Sequence, residues 1–310
     1  MVIEVKNLTK DYGKLRALDN FSFNVKEGEI FGLLGPNGSG KTTAINSILG
    51  LLKIVEGEIK IFGKIMSPNA YDIKREIGVV LQNVAVFNNL TVYENIDYFC
   101  GLYVEDKKER AKLTAEAIQI VGLEKYQKFY PPKLSGGLLR RLNIACGIAH
   151  KPKLLFLDEP TVAVDPQSRN NILESIKELN RKGTTIIYTT HYMEEVEFLC
   201  DRVLIIDGGK SVAEGTVEQL KNMIDTGEKI DVEFVNINEK QIAKIKALKN
   251  VNEVIVNDNI LTIYFAKKNQ NMLKLLELVK NEKLETITVN LQTPTLNDVF
   301  LEITGKELRD

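Results

Sequence analysis

The sequence has almost no net charge and no apolar stretch long enough to cross a membrane. Its 310 residues contain 41 Lys and Arg against 42 Asp and Glu, which gives a formal net charge of -1. This balance provides no bulk electrostatic attraction for nucleic acid or anionic lipid. No window approaches the roughly 20 apolar residues that span a bilayer, and the charged N-terminus does not match a signal peptide. We therefore expect a cytoplasmic protein that would need another chain for any membrane role.

Cysteine is also scarce. The three cysteines, Cys100, Cys146 and Cys200, lie far apart among apolar neighbours. Their spacing does not match a metal site, and their odd number argues against a disulfide framework. We expect them to be reduced residues in the core of a cytosolic protein.

The apolar pattern changes along the chain and predicts two domains. Alternating apolar residues in 1–30 predict a small antiparallel sheet. From about 30 to 220, short apolar runs alternate with longer helix-like segments, which is typical of a parallel sheet covered on both faces. Residues 87–150 have few strand signals and are predicted to form a helical insertion. We place this α/β domain at residues 1–225.

The second predicted domain covers residues 226–310 and begins within the turn residues "DTGEK" at 225–229. Its segments read strand-helix-strand-strand-helix-strand, the order of a small ferredoxin-like α+β domain. In the final segment, Thr295 and Asp298 fit a capping box, and Gly305 could end the helix that follows.

The segment "GPNGSGKTT", residues 35–43, fits the phosphate-binding pattern G-x-x-x-x-G-K-[ST] and lies between an apolar run and a helix. Glycines allow successive backbone amides to point at phosphate oxygens, Lys41 adds a cation for the outer phosphates, and Thr42 offers a hydroxyl to Mg²⁺. The alternative is a glycine-rich turn that binds nothing. The candidate residues are Gly35, Pro36, Asn37, Gly38, Ser39, Gly40, Lys41, Thr42 and Thr43.

Two carboxylates, Asp158 and Glu159, follow the apolar run in "LFLDEP". A strand that merely ends in a solvated, charged loop would look the same. Beside a triphosphate site, however, Asp158 could hold Mg²⁺ from the second side. Glu159 could orient or deprotonate a water for attack on the γ-phosphate.

The segment "LSGGLLRRLNIACGIAH" places Ser135, Gly136 and Gly137 at the start of an amphipathic helix. Ser135 as an N-cap would explain part of this pattern. Two glycines weaken a helix start, and they make most sense if a ligand approaches the free amides at its positive end. One chain cannot easily bring this second anion site to the phosphate at Lys41. We therefore infer that it serves the nucleotide of a facing copy.

Taken in order, these motifs resemble those of the ATP-binding subunits of ABC transporters, over residues 1 to about 220. "GPNGSGKT" is similar to the Walker A loop, "LSGG" to the signature and "LLFLDEP" to the Walker B strand. Gln82 in "VVLQNV" resembles the Q-loop, and Asp165 in "TVAVDP" resembles the D-loop. His191 in "YTTHYMEE" resembles the switch histidine, and Tyr12 in "KDYGKLRAL" the aromatic that stacks on adenine.

The resemblance implies a P-loop NTPase (ABC ATPase) fold and two Mg²⁺-bound ATP molecules between two such domains. Each ATP would be held by Lys41, Thr42 and Asp158 of one chain and by Ser135 and Gly137 of the other. By the same resemblance, Gln82 would help to hold Mg²⁺ and relay closure to membrane-spanning partners. Glu159 would polarise the attacking water, and His191 would contact the γ-phosphate.

Two positions depart from the family pattern. Leu138 stands where a glutamine usually follows LSGG, and the D-loop reads Ala163-Val164-Asp165. Both changes leave the acidic residue, the serine and the backbone amides in place. We expect hydrolysis to survive, with altered communication between the two sites.

The C-terminal "PTLNDVFLEITG" is similar to the end of prokaryotic ABC subunits of the drug- and antibiotic-export type. This likeness implies a separate membrane permease, a homodimer or heterodimer of ATP-binding subunits, and a position on the inner face of the cell membrane. The C-terminal domain would extend the dimer interface or regulate activity. Alternatives are a soluble ABC ATPase acting on ribosomes or DNA and a small-molecule kinase; we expect no nucleic-acid partner.

Overall fold

The structure is a computed structural model that describes residues 1–224, 228–266, 270–292 and 294–305. The chain divides into two compact units, the first comprising Met1–Val217 and the second beginning at Glu218. The predicted turn at 225–229 falls partly outside the described residues. No helix in the described ranges is long and apolar enough to cross a membrane.

The first unit contains ten strands and seven α-helices, and an eighth α-helix lies at the boundary. The strands are β1 (Ile3–Tyr12), β2 (Leu15–Val25), β3 (Ile30–Leu34), β4 (Glu56–Ile61), β5 (Lys64–Ile65), β6 (Ile77–Val80), β7 (Leu154–Asp158), β8 (Thr185–Thr190), β9 (Arg202–Asp207) and β10 (Lys210–Gly215). The helices are α1 (Lys41–Ile48), α2 (Tyr71–Lys74), α3 (Val92–Gly101), α4 (Lys107–Ile120), α5 (Gly136–Ile148), α6 (Pro166–Arg181), α7 (Met193–Leu199) and α8 (Val217–Lys221).

A six-stranded sheet of order β10-β9-β3-β8-β7-β6 forms the centre of this unit. Its neighbours pair in parallel, except for the antiparallel edge strand β10. Every residue of β3, β7 and β8 is buried, because both faces of the sheet are covered. Strands of this kind read as continuous apolar runs, and the predicted parallel sheet is confirmed.

The predicted N-terminal antiparallel sheet is also confirmed, but it is larger than expected. Its order is β2-β1-β4-β5, so the chain returns to it after α1. Ile59 and Ile61 of β4 lie opposite Val5 and Ile3 of β1. Two alternating apolar residues are too short a pattern to predict a strand, and sequence analysis missed β4 and β5 for this reason.

The predicted helical insertion is formed by α3, α4 and α5, which lie between β6 and β7 in the chain. Each of these helices has a side-chain N-cap, provided by Thr91, Asp106 and Ser135 respectively. Their apolar faces contribute to one core cluster together with β7 and β8. The insertion is thereby anchored to the central sheet.

The second unit has the predicted ferredoxin-like topology. Its elements are β11 (Lys229–Phe234), α9 (Glu239–Lys246), β12 (Val251–Asn257), β13 (Ile260–Phe265), α10 (Asn271–Asn281), β14 (Thr286–Gln292) and α11 (Leu296–Thr304). The sheet has the order β12-β13-β11-β14, and all its neighbours are antiparallel. The predicted capping box of Thr295 and Asp298 is present, and Gly305 ends α11 in the left-handed conformation.

Candidate functional site

A cleft of about 540 Å³ lies at the carboxyl edge of the central sheet. Strands β3 and β7 end there, and the carboxyl ends of parallel strands are where ligands bind in open α/β sheets. The cleft is lined by Tyr12, Leu15, Arg16, Ala17, Asn37, Gly38, Gly40, Lys41, Thr42, Thr43, Gln82, Glu159, Gly208 and Gly209. Many of the residues predicted from motifs are therefore brought together.

The loop between β3 and α1 requires glycine at two points. A Cβ at Gly35 would lie 2.3 Å from the backbone oxygen of Ile206, which leaves no room for a side chain. Gly40 has a φ of +111° and is the N-cap residue of α1. The loop thereby leads directly into a helix N-terminus, whose free amides and dipole attract anions.

Lys41 is the buried cation of this loop, with a relative exposure of 5%. Its Nζ donates to the backbone oxygens of Gly35 at 2.8 Å and Pro36 at 3.1 Å. The same nitrogen lies 3.1 Å from Oε1 of Glu159, with which it forms a buried ion pair. A buried charge needs such compensation, and the pair places a cation and a carboxylate side by side in the cleft.

Thr42 and Asp158 place two oxygen atoms close together. Thr42 Oγ1 donates to Asp158 Oδ2 at 2.9 Å, and Asp158 Oδ1 accepts a hydrogen bond from Thr189 Oγ1 at 2.6 Å. Among the described residues, no group of three or more His, Cys, Asp or Glu side chains could hold a metal ion by itself. Mg²⁺ commonly uses one or two protein oxygens and completes its shell with water and substrate phosphates. Thr42 Oγ1 and Asp158 Oδ2 fit an ion of that kind.

Glu159 is the centre of a polar group at the bottom of the cleft. Gln82 Nε2 donates to Glu159 Oε2 at 3.2 Å. His191 Nδ1 lies 3.6 Å from Glu159 Oε1, beyond hydrogen-bond distance. The backbone of Glu159 has a φ of +47°, a conformation that is unusual for a residue other than glycine.

Two buried polar atoms beside the cleft have no hydrogen-bond partner among the described residues. They are Ser39 Oγ in the glycine-rich loop and Nδ1 of His191. Buried polar atoms are normally satisfied, and an exception calls for an explanation such as a ligand, an ion or water. These two atoms therefore support a polar ligand in the cleft.

The outer part of the cleft contains the predicted Tyr12 together with residues that the motifs did not reveal. Tyr12 lies there with a relative exposure of 48%, as a surface platform and not a core residue. Gly209 has a φ of +77°, and a Cβ at this position would lie 2.4 Å from the backbone oxygen of Ala17. The glycine pair directly after the apolar strand β9 was the available signal for this wall. No motif pointed to Arg16.

Ser135, Gly136, Gly137 and Asp165 are not among the residues that line the cleft. Ser135 is the N-cap of α5, and its hydroxyl accepts the backbone N–H of Leu138 at 3.3 Å. Both Ser135 and Gly136 are exposed. The start of α5 is therefore not part of the cleft lining within one chain.

Gly137 has a packing reason that the sequence did not show. A Cβ at this position would lie 2.2 Å from Ser168 Oγ. Ser168 in turn donates its backbone N–H to Asp165, the N-cap of α6, at 2.9 Å, and this hydrogen bond lowers the pKa of Asp165. Glycine is therefore required at 137 by the neighbouring helix, whereas a Cβ at Gly136 would meet nothing closer than the Ala163 backbone oxygen at 4.0 Å.

The cysteines lie away from this chemistry. Cys100 and Cys146 are buried and free, as predicted, whereas Cys200 is only partly buried. Burial raises the pKa of Cys100 to about 11 and raises that of Cys146 further. Thiols of this kind are poor nucleophiles and poor metal ligands at neutral pH.

Comparison with known proteins identifies the family. The model of the ABC transporter family matches residues 18–162, and the model of the DrrA1-3-like ATP-binding protein C-terminal domain matches residues 215–304. The chain is 40% identical over 311 residues to the linearmycin resistance ATP-binding protein LnrL of Bacillus subtilis, covering 100% of both chains. The chain belongs to the ATP-binding proteins of ABC transporters.

Further relatives agree with this assignment. The Nod factor export ATP-binding protein I of Sinorhizobium fredii is 34% identical over 313 residues, covering 100% of this chain and 88% of the relative. A dimeric ATP-binding cassette in a post-hydrolysis state, bound to ADP and Pi, superposes with a TM-score of 0.63 at 30% identity, covering 69% of this chain and 98% of the other. The predicted P-loop NTPase fold and the ABC-type ATPase activity are confirmed.

Proposed function

We propose that this ABC ATPase dimerises around two Mg²⁺-bound ATP molecules and drives a separate membrane permease that exports a drug, an antibiotic or another small molecule. One observation carries the proposal: Lys41, Thr42 and Glu159 line the cleft and Asp158 is hydrogen-bonded to Thr42, whereas no residue at the start of α5 lines it. Each chain then has one part of a nucleotide site in its cleft and another part elsewhere.

In this proposal the cleft binds the phosphates of ATP. The amides at the start of α1 and the Lys41 ammonium group would contact the outer phosphates, and Tyr12 would stack on the adenine. Thr42 and Asp158, with Gln82 nearby, would hold Mg²⁺, which neutralises the charge that develops on the phosphates.

Glu159 would act as the general base. Water attacks the γ-phosphorus, the bond to the β-phosphate oxygen breaks, and the water proton passes to the Glu159 carboxylate. In the structure Lys41 pairs with this carboxylate at 3.1 Å. Phosphate oxygens that bind Lys41 compete for its charge, so nucleotide binding would release Glu159 for its role as a base. His191, close to the same carboxylate, would contact the γ-phosphate.

The second part of the nucleotide site would come from a partner copy. Ser135 and Gly136 are exposed at the positive end of α5, where amides and dipole favour an anion. Two chains related by a two-fold axis would each offer this helix end to the cleft of the other. Asp165, packed beside Gly137, would lie at the same interface. An identical chain or a related subunit would both serve as this partner.

The export function rests on family likeness. The names of two full-length relatives refer to linearmycin resistance and to Nod factor export. An ATP-binding subunit moves no cargo by itself, so a permease would supply the path and the cargo specificity. The chain would then lie on the cytoplasmic side of the cell membrane, bound to that permease.

The dimer is tested with Glu159→Gln, which retains the shape of the side chain but removes the base. With Mg²⁺ and ATP this variant should sediment as a dimer, and with EDTA as a monomer. Adding Ser135→Ala should weaken the dimer. Thr91→Ala is the matched control, because it removes the N-cap of the neighbouring helix α3. An ATP-bound Glu159→Gln chain that remains monomeric at high concentration would refute the shared site.

A further inference from the structure

One buried hydroxyl lies between the two acidic residues that follow β7. Thr189 of β8 has a relative exposure of 0% and stands directly opposite Asp158 in the parallel register of the two strands. Its Oγ1 donates to Asp158 Oδ1 at 2.6 Å and accepts the backbone N–H of Glu159 at 3.0 Å. Because a hydroxyl has a single donor and two lone pairs, both contacts can be made at once.

The first contact fixes the Asp158 carboxylate. With Oδ1 held by Thr189, rotation of the carboxylate is restricted, and Oδ2 is left facing Thr42 Oγ1 at 2.9 Å. These two oxygens are the ones proposed to bind Mg²⁺. Neighbours that orient a metal ligand are known to matter nearly as much as the ligand itself.

The second contact stabilises an unusual backbone. Successive residues of a strand point to opposite faces, so Asp158 and Glu159 would normally face apart. The left-handed conformation of Glu159, with a φ of +47°, interrupts this alternation. Asp158 reaches Thr42 while Glu159 reaches Lys41, the residue directly before Thr42 in the chain. The Glu159 N–H is held by the Thr189 hydroxyl and by the Thr189 backbone oxygen at 3.2 Å.

We propose that Thr189 is a positioning residue for ATP hydrolysis. Its hydroxyl orients the Asp158 carboxylate for Mg²⁺ and secures the backbone turn that brings Glu159 into the cleft. Thr189 lies behind these residues and acts only through them. This inference rests on the proposed roles of Asp158 and Glu159.

A second threonine on the same strand provides a matched control. Thr185, at the amino end of β8, has a relative exposure of 1%, and its hydroxyl accepts the backbone N–H of Gly28 at 2.9 Å. It lies about four residues, or roughly 13 Å, from Thr189 along the strand. Thr185→Val therefore removes a comparable buried hydrogen bond without touching the acidic pair.

The test measures the Mg²⁺ dependence of ATP binding to the full chain by calorimetry. Thr189→Val preserves the shape of the side chain but leaves Asp158 Oδ1 without its donor. We expect the affinity for ATP in Mg²⁺ to fall about tenfold, the order expected for an unsatisfied buried polar group. The affinity for ATP in EDTA should not change. Thr189→Ser should restore binding, and Thr185→Val should bind as the parent does.

Asp158→Asn separates this inference from the proposed function. If that variant binds ATP with unchanged Mg²⁺ dependence, the proposed metal site itself is wrong. If Asp158→Asn alters the dependence and Thr189→Val does not, only the role of Thr189 is refuted. Adding Thr189→Val to Asp158→Asn should produce no further change, because both act at one carboxylate.

Thermal unfolding shows whether a variant loses affinity for ATP only because its folded state is less stable. If Thr189→Val does not fold, Thr189→Ala provides the same comparison in a smaller side chain. An equal loss of affinity in Mg²⁺ and in EDTA, or the same loss in Thr185→Val, would overturn the proposal.

Discussion

The two units of the chain differ in what they bury. In the first unit, ionisable side chains such as Lys41, Asp158, Glu159 and Glu195 are buried together with several hydroxyls. In the described part of the second unit, Asn271 is the only buried polar side chain, and the core consists of aliphatic and phenylalanine side chains. Buried charge is costly unless it is paired, so its concentration marks where a fold serves chemistry. The described core of the second unit contains no buried charge of this kind.

The buried charges of the first unit form connected groups. Tyr188 and Thr190 of β8 both donate to Glu195 Oε2 at 2.8 Å, and Arg169 Nε lies 3.5 Å from the other oxygen of that carboxylate. Burial raises the pKa of Tyr188 well above its usual range, so its hydroxyl remains a donor. This group holds the strand end directly before His191. Oε2 of Glu195 is therefore satisfied by two hydroxyl donors, whereas Oε1 and Arg169 Nε lie at ion-pair distance without a hydrogen bond.

Among substitutions at the buried charges of the first unit, the largest effect is expected at Glu159. Glu159→Gln should lower ATP turnover about 100-fold or more, since a positioned general base contributes roughly 10²- to 10⁴-fold. ATP binding should remain, because the amide can still accept a hydrogen bond from Lys41. Phosphate release and calorimetry measure the two effects, with Glu58→Gln, at a partly exposed position in β4, as control. Unchanged turnover would remove Glu159 from the chemistry.

Lys41→Ala should reduce the affinity for ATP itself. Charge-assisted hydrogen bonds contribute about 1.5–3 kcal/mol, which corresponds to roughly 10- to 100-fold in binding. The variant should also be less stable, because Glu159 would be left buried without its cation. Lys153→Ala, at an exposed lysine before β7, is the control and should change neither quantity. A titration indistinguishable from the parent would refute the phosphate-binding role of the loop.

Much of this cleft could be predicted from the sequence, because local patterns specify it. The loop of Lys41 and Thr42 is contiguous, and one rule about the ends of parallel strands brings Asp158 to it. The contact between Asp158 and Thr189 depends instead on the register of two strands that are 31 residues apart in the chain. No short segment contains that information.

Glycines show the same limit of prediction from sequence. Sequence analysis attributed Gly137 to the approach of a ligand, and the structure adds a packing reason that the sequence did not show, the Ser168 side chain. It also missed Gly209, which must accommodate the backbone of Ala17. A glycine indicates that something approaches the backbone, but the identity of the neighbour is set by tertiary packing.

A substitution in the core of the second unit should have the smallest effect on the affinity for ATP. Phe234 of β11 is fully buried in an apolar cluster, and Phe234→Ala should lower the free energy of unfolding of that unit by about 3–5 kcal/mol. The adjacent Val235→Ala, at an exposed position, should cost much less. Calorimetric scans should show the loss in one transition, with ATP affinity unchanged at a temperature where both units are folded. If ATP affinity falls with the stability of the second unit, its packing supports the cleft, and the contrast between a chemical unit and a packing unit no longer holds.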